Sequence, residues 1–217
     1  SGREDRRLIP FTHLLTGSRL LLGVVSVLSA LPVLAQQEFL PVSVQTGALL
    51  VASPSLADPN FTQTVLLIVE HGRSGTIGLI LNRPTDVLLA EVLRDLPLLK
   101  QTNHRLFLGG PVERTQLVLL FRLRQVLPDA RHIVNGIYVG TPTVLDRVMA
   151  SPTPNEAFRA FAGFAGWAPG QLEYEMRQGS WGVLSSSAFD ILSKDPATLW
   201  PDCITVLQAP RTISNER

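Results

Sequence analysis

The sequence predicts an α+β domain, and three observations carry that expectation. Short apolar, β-branched runs recur, as at residues 64–69 and 76–81; apolar residues at helical spacing appear only in brief segments; and the two kinds alternate irregularly. The order is strands, helix, strands, helix, strand, helix, strand, helices. A doubly wound parallel sheet needs a regular strand and helix alternation, which this order lacks. With 217 residues, 45% of them hydrophobic and 17% charged, the chain has material for one buried core.

The first block differs from the rest. Arg3, Arg6, Arg7 and Arg19 precede or open an uncharged stretch, residues 20–37, whose apolar run ends at Pro32 and is followed by Ala35. Basic, apolar and small-residue sections in that order read as an export signal cleaved before Gln36. The alternative for residues 1–35 is a spurious N-terminal extension. A bilayer-spanning helix needs about 20 predominantly apolar residues, so no stable transmembrane span is expected in the mature chain. A true signal would make the protein periplasmic or otherwise exported; without it the cytoplasm is the expected compartment. Residues 36–46 read as a linker, 47–210 as a single domain and 211–217 as a flexible tail.

Within the domain, residues 48–52 read as a buried strand. Pro54, Pro59, Ser53, Ser55 and Asp58 then make residues 53–59 a rigid loop, through preset φ angles and side-chain bonds to the backbone. The runs at 64–69 and 76–81 flank Glu70, His71, Gly72, Arg73, Ser74 and Gly75, which read as a hairpin turn. Residues 88–96 repeat apolar positions at helical spacing and stop at Pro97. Strands follow at 105–108 and 116–121, joined through Gly109, Gly110 and Pro111, and again at 136–139. Thr143 is placed to cap a helix over 144–149, with Asp146 near its positive end.

Residues 158–164 fit a strand or a helix by propensity, although Gly163 and Gly166 weaken the helix. Trp167 reads as loop. Pro169 opens a helix over 171–177, and Gly179 sits where a left-handed residue would end it. Residues 181–184 form the last clear strand. Helical pieces begin at 189–192 and 197–200, the second running through Cys203 to Leu207 despite Pro201.

The stretch GALLVASPSLADPNFTQTVLLIVEHGRSGTIGLILNRP, residues 47–84, is joined by FLGGPV at 107–112, GIYV at 136–139, AGWAPGQLE at 165–173 and GSW at 179–181. Together these resemble the YqgE/AlgH family over nearly everything after about residue 46. The resemblance implies a curved, mostly antiparallel, partly barrel-like sheet with helices packed around it, and a strand at 158–164. It implies no settled reaction. Relatives are associated with transcriptional control of exopolysaccharide production, and most lack an export leader, which sets residues 1–35 at odds with the resemblance.

Residues 1–35 carry four Arg against Glu4 and Asp5, or +2, so the formal +1 of the whole chain leaves −1 for the rest. A nucleic-acid binder shows a strongly basic face, so nucleic acid is not an expected partner. Cys203 is the sole cysteine, which excludes an intramolecular disulfide and reads as a buried, inert thiol. His13, His71, His104 and His132 are dispersed, and neither a phosphate loop nor a dinucleotide fingerprint is present. No metal and no cofactor are expected.

Polar residues at strand ends are the candidate ligand contacts: Ser53, Ser55, Asp58, Glu70, His71, Asn82 and Arg83, with Trp167, Gln171 and Glu173 where the helix over 171–177 begins. Each has a structural alternative. Ser53, Ser55 and Asp58 can brace their loop, and no Gly-x-Ser-x-Gly elbow presents either serine as a nucleophile. Glu70 and His71 could combine into a base, but neighbours on a strand face opposite sides. Arg83 can grip an anion with its fork of donors, though an internal ion pair with Asp58 or Glu70 is the favoured reading. Free amides at the helix start can hold an anion, against a capped helix with Trp167 packed beneath it. Glu173 and Glu175 diverge on that helix.

The expectation is therefore a non-enzymatic binding or regulatory domain whose partner is a protein or a small anionic ligand. A small hydrolase or transferase built on Asp58, Glu70, His71 and Arg83 is one alternative. An envelope interaction scaffold is the other.

Overall fold

A computed structural model describes residues 43–123, 129–150 and 158–209. The predicted leader, most of the predicted linker and the predicted tail lie outside the described residues. Ten described strands form one sheet: β1 (Ala48–Ala52), β2 (Val65–Gly72), β3 (Gly75–Ile80), β4 (Pro84–Leu88), β5 (Arg105–Leu108), β6 (Val112–Arg122), β7 (Ala130–Val134), β8 (Ile137–Gly140), β9 (Phe158–Trp167) and β10 (Trp181–Ser185). The order is β10-β1-β2-β3-β9-β6-β8-β7, with β5 pairing β9 and β4 pairing β5. All of these pairs are antiparallel except β5 with β9.

The sheet is a curled, mostly antiparallel half-barrel, and the curl follows from β9. This strand pairs with β3 through Ala165, Gly166 and Trp167, while its first half pairs with both β6 and β5. At the far edge, Arg131 of β7 donates from Nη1 to the carbonyl of Val69 at 2.6 Å, bringing β7 back towards β2. Gly47 sits in that seam, because a Cβ there would lie 2.8 Å from Cβ of Val134.

The concave face holds the main core, including Leu49, Leu67, Leu79, Leu120 and Phe161. Helix α4 (Pro196–Gln208) covers it with Leu199 and Cys203, both fully buried. The helix runs across Pro201 as predicted, and Asp195 caps it by accepting from the Ala197 amide at 2.9 Å. The convex face carries two smaller clusters. One, with Leu50, Leu66, Ile68 and Trp181, lies under helix α3 (Gln171–Arg177) through Leu172. The other packs Leu119, Phe121 and Phe158 against helices α1 (Leu89–Val92) and α2 (Leu145–Met149).

Several expectations need correction. The helix over 88–96 shortens to the single turn α1, followed by a 3-10 turn at Pro97–Gln101. Residues 84–88 are taken by β4, and the Leu89 amide is tied to the His104 carbonyl at 2.8 Å, so the apolar spacing is met by a bent segment burying Leu89 and Leu99. Thr143 does not cap α2; its hydroxyl bonds that of Thr141 at 2.8 Å, within a 3-10 turn at Pro142–Val144. Trp167 is a strand residue paired with Thr76 rather than a loop residue. Residues 189–192 are not helical, because Phe189 is extended and Asp190 turns the chain by accepting from the Leu192 amide. Strands β4 and β7 lay outside the expectation.

The Gly109 and Gly110 link between β5 and β6 has a steric cause. A Cβ at Gly110 would fall 2.1 Å from the carbonyl carbon of Phe164, and one at Gly109 would fall 2.2 Å from the oxygen of Gly163. The link must press backbone against β9.

Candidate functional site

Residues 58–64 link the segment around Asn82 and Arg83 to the rings of Trp167 and Trp181. From one side, Asn82 accepts from the Val65 amide and donates to the Gln63 carbonyl, both at 2.9 Å. Arg83 donates from Nη2 to the carbonyls of Pro59 and Thr62, at 3.3 and 3.1 Å. From the other side, Phe61 lies against the rings of Trp167 and Trp181, with centroids 6.0 and 5.6 Å away.

The favoured ion pair of Arg83 is not formed among the described residues. Asp58 spends Oδ1 on the Asn60 amide at 2.8 Å, and Glu70 lies 3.8 Å from Arg131 instead. The loop carbonyls lack ladder partners, so the guanidinium satisfies them. Burial lowers the pKa of Arg83, and the charge of Asp58 only partly opposes this.

Ser53 and Ser55 bond each other, Oγ to Oγ, at 2.9 Å. His71 turns away from Glu70: its Nδ1 bonds the Thr76 hydroxyl at 2.8 Å, and its Nε2 lies 3.8 Å from Glu173 across to α3. The four side chains of the hydrolase alternative, Asp58, Glu70, His71 and Arg83, thus have separate partners and share no hydrogen bond.

The start of α3 is occupied by its own residues. Gly170 takes the left-handed N-cap position with φ 79°, and Gln171 accepts from the Ala168 amide at 3.1 Å while donating to Glu175 at 3.0 Å. Oε2 of Glu175 accepts the indole N–H groups of both Trp167 and Trp181, at 3.0 and 2.8 Å. Sequence reasoning missed the part played by Glu175. Its spacing of four from Gln171 was the available signal.

A cleft of about 260 Å³ opens beside Arg83 and Asn82, with Thr62, Ala197 and Trp200 on its walls. Trp200 is fixed by donating to the Ala52 carbonyl at 2.9 Å. Arg159 ties the end of β3 to the turn before α4, donating to the carbonyls of Leu81 at 3.1 Å and Lys194 at 2.7 Å. Burial lowers the pKa of Arg159 to about 10, despite the charges of Asp190 and Asp195. Neither the start of α4 in the cleft nor Arg159 was legible as part of a site. Among the described residues no three His, Cys, Asp or Glu side chains group to hold a metal, and no helix is long and apolar enough to cross a membrane.

Comparison with known proteins agrees with this fold. The AlgH-like family model matches residues 49–211. A UPF0301 protein of Streptomyces avermitilis is 35% identical over 178 residues, covering 75% of this chain and 86% of that one. One from Mycobacterium avium is 38% identical over 162 residues, covering 72% and 80%. The crystal structure of protein DIP2367 from Corynebacterium diphtheriae superposes with a TM-score of 0.64 at 25% identity, covering 78% of this chain and 90% of that one. The solution structure of AlgH from Pseudomonas aeruginosa does so with a TM-score of 0.55 at 27% identity, covering 76% and 89%. With a half-barrel matched along most of its length and a family model spanning it, this chain belongs to the AlgH-like family.

Proposed function

We propose that the domain is a non-enzymatic binding module that takes a small anionic group in the cleft beside Arg83. One observation supports this above others: the cleft lining includes Arg83 and no carboxylate. Both protein bonds of Arg83 leave from Nη2, so Nε and Nη1 keep their donors for a ligand. The remaining candidates have protein partners of their own, among them Thr76 for His71, Arg131 for Glu70 and Glu175 for Trp167, an arrangement that suits a rigid receptor better than a nucleophile and its base.

Calorimetric titration of the folded protein with inorganic phosphate and with succinate tests the reading. Saturable binding of either, weakened at least about tenfold in Arg83→Gln with the circular dichroism spectrum unchanged, is the expected result. Heats that never saturate up to about 10 mM of both anions would overturn it. Export through residues 1–35 is a separate proposal, supported by their charge and apolar pattern. Cell fractionation with N-terminal sequencing checks it, and an intact chain recovered from the cytosol would remove it.

A further inference from the structure

A second arginine has a stronger need of a counter-ion than Arg83. Arg159 is only 9% exposed, and its guanidinium lies 4.9 Å over the Phe107 ring. Its hydrogen bonds run to two backbone carbonyls, those of Leu81 and Lys194, which uses two of the five donors an arginine carries and leaves three. Among the described residues no carboxylate comes within ion-pair distance of it. Asp190 is held by Arg122 at 2.7 Å, and Asp195 caps α4. Buried charges are ordinarily paired, because water that would have solvated them has been removed.

Beside Arg159 lies a cavity of about 230 Å³, separate from the Arg83 cleft. Arg105, His104, Phe107, Phe158 and Leu192 line it along with Arg159, and no carboxylate does. Arg105 sits in its exposed pair with Asp86, so it adds only weakly to the positive field. His104 packs in a tilted arrangement on Phe158 with centroids 4.3 Å apart, and its buried Nε2 has no hydrogen-bond partner among the described residues. Burial lowers the His104 pKa, which makes the ring a neutral polar group near neutral pH. Two polar groups short of partners therefore share a cavity wall with two aromatic rings and a leucine.

We propose that this cavity binds a small organic anion, a carboxylate on a compact apolar body, with Arg159 holding the carboxylate and Phe107, Phe158 and Leu192 enclosing the body. A bare inorganic anion would leave the apolar walls without contact. At about 30 Å³ for each water-sized group, the space admits on the order of ten non-hydrogen atoms. The site is independent of the Arg83 reading.

Benzoate is the probe, benzamide its uncharged counterpart, and inorganic phosphate the bare anion. Nitrogen-15 spectra of the whole folded chain, followed at Arg159 Nε and the His104 ring, should show saturable shifts with benzoate. Binding of benzamide and phosphate should each be at least about tenfold weaker, and Arg83→Gln should leave the benzoate response unchanged. Arg159→Lys, which keeps charge but loses the fork, should weaken benzoate about tenfold or more. If that variant fails to fold, the ligand comparison in the unaltered chain and in Arg83→Gln decides. The proposal is overturned by absence of a saturable shift at Arg159 up to about 20 mM benzoate, by equal binding of benzamide or phosphate, or by loss of the response in Arg83→Gln.

Discussion

Trp181 donates its indole N–H to Oε2 of Glu175 at 2.8 Å, and the same oxygen accepts from Trp167 at 3.0 Å. A single carboxylate thus satisfies two indoles that are 5% exposed or less, and it binds α3 to the ends of β9 and β10. Glu175→Ala leaves both N–H groups without an acceptor. The expected cost is about 2–4 kcal/mol in urea unfolding, with a red shift of tryptophan emission as water enters.

Asn82 plays the matching part on the other side of residues 58–64. Its amide bonds one donor and one acceptor of the backbone, so Asn82→Ala should cost about 1–3 kcal/mol. Amide hydrogen exchange at Val65 should accelerate more than at Leu50 in the centre of β1. Equal acceleration at both would mean that the loss is global and not local.

Glycine positions separate cleanly by what surrounds them. Gly110→Ala drives a methyl into the Phe164 carbonyl and should prevent folding or cost more than about 4 kcal/mol. Gly72 has open space and an ordinary φ, so Gly72→Ala should be neutral or stabilising by up to about 1 kcal/mol. Thermal unfolding of the two variants checks both.

The hydrogen bonds from Arg122 hold the Asp190 carboxyl down to about 2, from an ordinary value of 3.8. A depressed carboxyl contributes stability that is present above pH 3.8 and is lost as pH falls towards 2. Both side chains are 44% exposed, so solvent screening reduces the contribution to about 1 kcal/mol. Asp190→Asn should remove that amount at neutral pH and flatten the acid limb of the stability curve. Chemical denaturation at a series of pH values measures it.

Cys203, fully buried beneath the half-barrel, has its thiol pKa pushed up to about 12 by burial. The raised value means that stability is complete below the unfolded thiol value of 9.0 and declines as pH rises towards about 12. At neutral pH an aromatic disulfide reagent should label the thiol only at the rate of unfolding. Immediate labelling of the native protein would contradict this placement.

Much of the architecture was legible because local pattern and tertiary demand agreed. The hairpin of β2 and β3, strand β5, helix α3 and its left-handed Gly179 all stand where apolar periodicity and turn chemistry put them. The sequence failed where a segment answers to a distant partner. Leu89 follows the pull of the His104 carbonyl rather than its helical spacing, and β7 forms because β8 and the Val69 carbonyl await it.

The site divides the same way. Strand ends marked out Asn82 and Arg83, since polar groups that close apolar strands must find partners nearby, and the start of the helix over 171–177 marked out Trp167. Which partners they take was a matter of the fold alone. Arg83 meets loop carbonyls instead of Asp58, Glu175 gathers two indoles, and Arg159 lies buried between the carbonyls of Leu81 and Lys194, with no carboxylate at ion-pair distance among the described residues. Hydrogen bonding and ion pairing act over a few ångströms, so they depend on distances that only the curled sheet creates.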